Sequence, residues 1–238
     1  MSIDVAIVAA MEREVRPLVR GWARRDLITA QAVFPVFVQG NAIVICSGIG
    51  SSLARQAAVA VLDSERPALL VSAGLAGALN TKLKVGQIFH PATVVDLATG
   101  VRFNAPGTDG VLVSASSVLD ADAKRRITGS FGADAVDMEA AAIALVAGQR
   151  DCPFLAVKAI SEEAGFPMPS FEGCIDPRGR IRMARFVAAC AVRPATWPTL
   201  FHLARNTARA SRELCRALAH LIEEKATRPQ PELLGRTN

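Results

Sequence analysis

Tyrosine is missing from the 238 residues, histidine occurs three times and aromatic residues make up 5% of the chain. Any aromatic lining of a binding site therefore falls to ten Phe and two Trp. The histidines (His90, His202, His220) lie far apart in sequence, against a His-rich metal centre. Five cysteines (Cys46, Cys152, Cys174, Cys190, Cys215) are scattered, include no Cys-x-x-Cys pair and are odd in number. That argues against a disulfide framework and against structural zinc. There is no run of ~18 uninterrupted apolar residues of the kind that crosses a membrane. Met1-Ser2-Ile3-Asp4 lacks the basic segment and cleavage pattern of a signal peptide. The expectation is a soluble cytoplasmic protein that uses neither metal nor cofactor.

What is present is an ordinary globular composition, 51% apolar and 21% charged, with an uneven distribution of charge. Residues 1–170 carry 15 Lys and Arg against 16 Asp and Glu, a net charge of −1. Residues 171–238 carry 12 against 6, so the basic balance sits at the C-terminal end. The division predicts an α/β core over 1–170 and a basic helical extension over 171–238, packed on or beside it.

Within the core, Val5–Ala10 is a short run of branched apolar residues, as expected of a strand buried on both faces. Met11–Leu18 switches to mixed charge and reads as a helix start, with Pro17 in its first turn. Residues 32–38 and 42–46 flank Gly40-Asn41 as a hairpin. The second arm runs through Ser47-Gly48-Ile49-Gly50 into a helix over 53–62, a strand–turn–helix unit whose N–H groups can hold an anion. Further strands are predicted at 68–72, 87–95, 110–114 and 154–160, a small-residue loop at 73–79 and a helix over 138–147. The alternation indicates a three-layer αβα fold around a mixed, mostly parallel sheet, with a C-terminal helical extension. Ligands bind such sheets beyond the carboxyl ends of the strands. Glu14, Gly48 to Gly50, Gly74 to Gly77, Ser161 and Glu162 fall on that rim, and Glu139 joins them from a helix start.

Each acid also has a plainer explanation: a solvated helix start for Glu14, a capping role for Glu139 and a polar loop for Glu162. Taken together, however, five blocks resemble the nucleoside phosphorylase and nucleosidase superfamily, in particular its 5′-methylthioadenosine/S-adenosylhomocysteine nucleosidase branch. They are Ala10-Met11-Glu12-Arg13-Glu14-Val15, Ser47-Gly48-Ile49-Gly50, Ala73-Gly74-Leu75-Ala76-Gly77, Val136-Asp137-Met138-Glu139-Ala140-Ala141-Ala142 and Lys158-Ala159-Ile160-Ser161-Glu162. The resemblance implies cleavage of an N-ribosidic bond through an oxocarbenium-like ribose, which a nearby carboxylate stabilises. It gives Glu139 the ribose hydroxyls, Met138 the sugar face and Glu14 the attacking water. Glu162, where the family usually has Asp, would protonate the departing purine, with Glu163 as the neighbouring alternative. Ser117, Val118, Leu119, Ser161, Gly74, Ala76 and Gly77 would line the substrate, and Gly48 and Gly50 the nucleophile or anion loop. Lys158 stands where the nucleosidases usually have Arg, and Leu75 replaces a small polar residue. No arginine-bearing phosphate loop follows the first strand, which favours water over phosphate as nucleophile. A homo-oligomer is expected.

Placed on a helix, residues 200–222 put Leu200, Leu203, Thr207, Ser211, Leu214, Leu218 and Leu221 on one face and Arg205, Arg209, Arg212 and Arg216 on the other. Docking of the apolar face on the core, with solvated arginines, is one reading. Peripheral contact of the arginines with an anionic membrane is a second. Nucleic acid is not expected, because no aromatics interleave with the basic residues. A nucleosidase-like body followed by an Arg-rich helical extension is similar to the hopanoid-biosynthesis-associated phosphorylases. That implies release of adenine from adenosylhopane. The alternatives are a methylthioadenosine/S-adenosylhomocysteine nucleosidase or a catalytically inactive purine-binding relative.

Overall fold

The computed structural model describes residues 3–117, 119, 121–166 and 197–227. The apolar run after the N-terminus forms β1 (Val5–Ala9), buried at every position. It pairs in parallel with β4 (Ala42–Cys46) on one side and β5 (Leu69–Ala78) on the other. Because side chains alternate across a strand, Ala6 and Val8 join one hydrophobic cluster, and Val5, Ile7 and Ala9 another. Helices α2 (Ser51–Glu65) and α4 (Ala140–Gln149) cover the first face with closely packed alanines such as Ala54, Ala58 and Ala144. Helix α1 (Glu12–Val19) and the long α5 (Trp197–Thr227) cover the second through Val15, Val19, Leu214 and Leu218. Leu214 and Leu218 are fully enclosed, each stabilising the fold by about 1.5–3 kcal/mol. This is the three-layer arrangement expected.

The sheet also contains β2 (Ala23–Ile28), β3 (Val33–Gln39), β6 (Ile88–Phe89), β7 (Pro91–Asp96), β8 (Arg102–Asn104), β9 (Asp109–Ser114), β10 (Ala133–Asp137) and β11 (Phe154–Glu162). Its main path runs β2-β3-β4-β1-β5-β10-β9-β7-β8, with β11 against β5 and β6. Among the described residues the pairings divide evenly between parallel and antiparallel. Antiparallel pairing joins β2 to β3, β3 to β4, β7 to β8, β10 to β5 and β11 to β6. Helix α3 (Ala121–Phe131) packs on β10.

Several local expectations change. Residues 73–78 are not a loop: β5 continues through them, pairing with β11 as far as Gly77 and with β10 at Gly77 and Ala78. The small side chains let one strand serve both halves of the sheet. The strand expected over 87–95 is divided between β6 and β7, which pair with different neighbours. Pro17 is the sixth residue of α1 rather than part of its first turn, so the helix forgoes one backbone hydrogen bond there. Trp197 and Pro198 open α5. The first part of the extension expected over 171–238, up to residue 196, and its last residues, 228–238, lie outside the described residues.

Candidate active site

The carboxyl ends of the strands open on a cavity of about 220 Å³ whose walls include Glu14, Glu139 and Glu162. Glu14 projects from the first turn of α1, immediately beyond β1, and is buried. Its Oε2 has no hydrogen-bond partner. Burial pushes the carboxyl up from 4.5 to about 7, against the pull of Arg13 and Lys158. Gly74 lies between Glu14 and Lys158: a Cβ there would stand 3.5 Å from Glu14 Oε2 and 3.7 Å from Lys158 Nζ. The glycine leaves that space open in the floor of the cavity.

Glu139 occupies the N-cap of α4. The Gly50 N–H donates to its Oε1 at 2.7 Å, and the Met138 N–H to its Oε2 at 3.3 Å. Burial raises this carboxyl to about 7; Asp137 and Glu14 add to the rise, while Lys158 and the Gly50 N–H oppose it. Gly48 and Gly50 have φ of 90° and 99°, the left-handed region that glycine enters at little cost. The Gly48 N–H donates to the Ala10 carbonyl at 2.8 Å. Both glycine amides are thus engaged within the protein, and the anion held at Gly50 is the chain's own Glu139.

Beneath these acids Lys158 Nζ pairs with Asp137 Oδ2 at 2.8 Å and donates to Ser72 Oγ at 3.0 Å. Asp137 also accepts from Ser114 Oγ at 2.5 Å and from the Ala140 N–H at 2.9 Å, and the Ala141 N–H donates to Ser114 Oγ at 2.9 Å. Asp137 therefore ties the first turn of α4 to β9 and β11, which fixes where Glu139 stands.

Glu162 ends β11. The register against β5 shifts between Ile160 and Glu162, so that Ser161 and Glu162 share the space opposite Gly77. Such a bulge re-aims side chains, and both residues are buried. Ser161 Oγ lies 3.3 Å from the Ala76 carbonyl and also donates to Glu162 Oε2. A Cβ on residue 77 would run into the Glu162 carboxyl. Glu163 turns elsewhere, pairing at 3.0 Å with the exposed Lys84.

Met138, Ser117, Leu119, Ser161, Gly74, Ala76 and Gly77 also border the cavity; Ile49 borders it in place of its neighbours Gly48 and Gly50. Val118 lies outside the described residues. The structure adds residues that the sequence did not assign to the site: Asp137, Lys124, Arg13, Leu203 and Thr207. The last two come from α5, some forty residues along the chain from β11. Arg13, Leu203 and Thr207 also line a groove of about 980 Å³ between α1 and α5. That groove is largely apolar, with Pro17, Val19, Phe37 and Leu200 in its walls and Arg16, Arg20 and Arg212 beside them.

The phosphorylase superfamily model matches residues 4–109 and 98–191, running past the last recognisable motif at 162. The chain is 29% identical over 201 residues to the 5′-methylthioadenosine/S-adenosylhomocysteine nucleosidase of Bacillus licheniformis, covering 68% of this chain and 87% of that one. Its fold is similar to that of the corresponding Helicobacter pylori nucleosidase solved with butyl-thio-DADMe-Immucillin-A, at a TM-score of 0.70 and 17% identity over 94% of this chain and 99% of that one. It is equally similar to Helicobacter pylori futalosine hydrolase, with a TM-score of 0.70 and 18% identity over the same shares. The family model spans most of the strands and turns that bring the three acids together, and with the shared fold it makes the chain an enzyme of the phosphorylase superfamily.

Proposed function

We propose that the protein cleaves the N-glycosidic bond of a 5′-substituted adenosine and releases adenine, and that the substituent is apolar and lipid-linked, as in adenosylhopane. The supporting observation is that a cavity lined by three acids and a larger, largely apolar groove share Arg13, Leu203 and Thr207. In this reading Glu14 takes a proton from the attacking water, whose oxygen bonds to C1′. The C1′–N9 bond breaks with its electron pair passing to the base. Glu162 supplies the proton that the base carries away, and Glu139 holds the ribose hydroxyls as positive charge builds on the sugar. The engagement of both Gly48 and Gly50 amides within the protein supports water over phosphate.

The second reading, a methylthioadenosine/S-adenosylhomocysteine nucleosidase, is supported by the Bacillus licheniformis relative. Chain length at the 5′ position discriminates the two. Adenine release is measured on adenosines with 5′ substituents of increasing apolar length, with and without phosphate. The lipid-linked reading predicts a kcat/KM that rises with length and does not depend on phosphate. No release from any of them, or full activity in Glu139→Ala, overturns the enzymatic reading.

The arginine face of α5 suits contact with an anionic lipid surface: Arg205, Arg209, Arg212 and Arg216 are exposed, while Leu214 and Leu218 are buried in the core. The association would need anionic lipid and would weaken with salt.

A further inference from the structure

Lys124 sits in the first turns of α3, is 8% exposed, and lines the cavity that holds Glu162, Val136 and Leu119. Its Nζ is shut off from solvent and has no hydrogen-bond partner. Lys158, the other buried lysine of the cavity region, is fully partnered by Asp137 and Ser72. A buried ammonium without an acceptor is costly, and a ligand atom bearing a lone pair relieves that cost.

Its position narrows what the ligand atom is. Glu14, Glu139, Asp137 and Lys158 form one charged cluster around Gly74 and the Gly50 turn. Glu162 and Val136 instead close around Gly77. Helix α3 packs on β10, the strand that carries Val136 and Asp137, and Leu119, which also lines the cavity, precedes it. Lys124 pairs with no acid of the charged cluster and lines the same cavity as Glu162, which sets a donor and an acceptor among apolar side chains. A purine edge presents the complement: ring nitrogens with in-plane lone pairs and an N–H.

We propose that Lys124 is a base-recognition residue, its ammonium donating a hydrogen bond to a ring nitrogen of the leaving purine. This rests on the N-ribosyl reading of the site. The cation keeps its proton. As the C1′–N9 bond breaks and its electron pair moves onto the base, the adjacent positive charge stabilises the base until Glu162 protonates it.

Adenine affinity, measured by calorimetry on the full chain, tests this without requiring turnover. Lys124→Met should weaken adenine binding on the order of 10- to 100-fold, as for loss of a hydrogen bond from a charged donor. Lys124→Arg should restore part of it. The melting temperature of Lys124→Met should equal or exceed that of the wild type, since the variant no longer buries an unpaired charge. Repeating the titrations with 1-, 3- and 7-deazaadenine identifies the acceptor: for the base lacking it, wild type and Lys124→Met bind alike. Adenine binding unchanged in Lys124→Met, or no adenine binding by the wild type, overturns the proposal. Adenine binding with the expected loss but no release from any nucleoside overturns the enzymatic reading alone.

Discussion

Asp137 and Lys158 form an ion pair of 2.8 Å in which both side chains are almost completely enclosed, at 0% and 1% exposure. Their hydrogen bonds reach β5, β9 and the start of α4. Removing one partner leaves a bare charge in the interior and should destabilise the fold by about 3–5 kcal/mol. Urea unfolding of Asp137→Asn, Lys158→Met and the double variant checks this. The double variant should lose less than the sum of the two singles.

Glu14 titrates near 7 in the fold against 4.5 as its ordinary value, because burial disfavours its charged form. The folded state thus binds this proton more tightly than the unfolded chain does. The contribution is complete below pH ~4.5, is lost as pH rises towards 7, and amounts to about 3 kcal/mol. Glu14→Gln should therefore match the wild type near pH 4.5 and exceed it in stability by roughly that amount at pH 8. Denaturant melts at the two pH values provide the comparison.

The same carboxyl must be ionised to accept a proton from water. In the proposed mechanism kcat/KM for adenine release rises with pH through about 7. Glu14→Gln should reduce the rate by 10²–10⁴-fold, the range for a positioned general base, and leave only that part of the rise that Glu139 contributes. A rate that stays flat across pH 5 to 9 in the wild type contradicts this role for Glu14.

Gly77 makes room for the Glu162 carboxyl. Gly77→Ala should displace that side chain and destabilise the protein by about 1–3 kcal/mol. Glu162→Asp shortens the acid and should relieve most of the penalty in the double variant. Thermal unfolding of the two singles and the double gives the coupling.

Leu203 borders both the cavity and the groove. In the proposed reading Leu203→Trp should crowd the border that cavity and groove share, so kcat/KM for adenosines with long apolar 5′ substituents falls at least tenfold more than for adenosine itself, a gap of about 1.4 kcal/mol. Parallel kinetics on the two substrates measure it.

Strands buried on both faces were readable because Val5–Ala9, Ala42–Cys46 and Phe154–Ile160 are nearly unbroken apolar runs. β2 escaped notice because Ala-Arg-Arg-Asp-Leu-Ile is an exposed edge strand with no apolar face to register as a pattern. β10 is five residues long with acids at two of them, and α3 exposes much of its surface. Gly74 to Gly77 looked like a loop because small residues are common in loops. In the structure a side chain at Gly77 would collide with the Glu162 carboxyl, whereas one at Gly74 would meet Glu14 and Lys158 at ordinary contact distance. The three acids were readable only through the motif blocks that carry the family resemblance, since each alone has a plainer explanation. The partner of Lys158 lies 21 residues away on another strand, and the lack of a partner for Lys124 is a property of the folded interior, so neither leaves a local signature.

The border shared by cavity and groove takes Arg13 from α1 and Leu203 and Thr207 from the first turns of α5. The acids stand on α1, on the N-cap of α4 and on β11, whereas Leu200, Leu203 and Thr207 come from a helix that contributes none of them. In the proposed mechanism the α5 side therefore bears on the choice of substituent alone, whereas the α1 side also carries Glu14. Exchanging two turns of α5 is then expected to change the preferred 5′ group while the three acids remain in place.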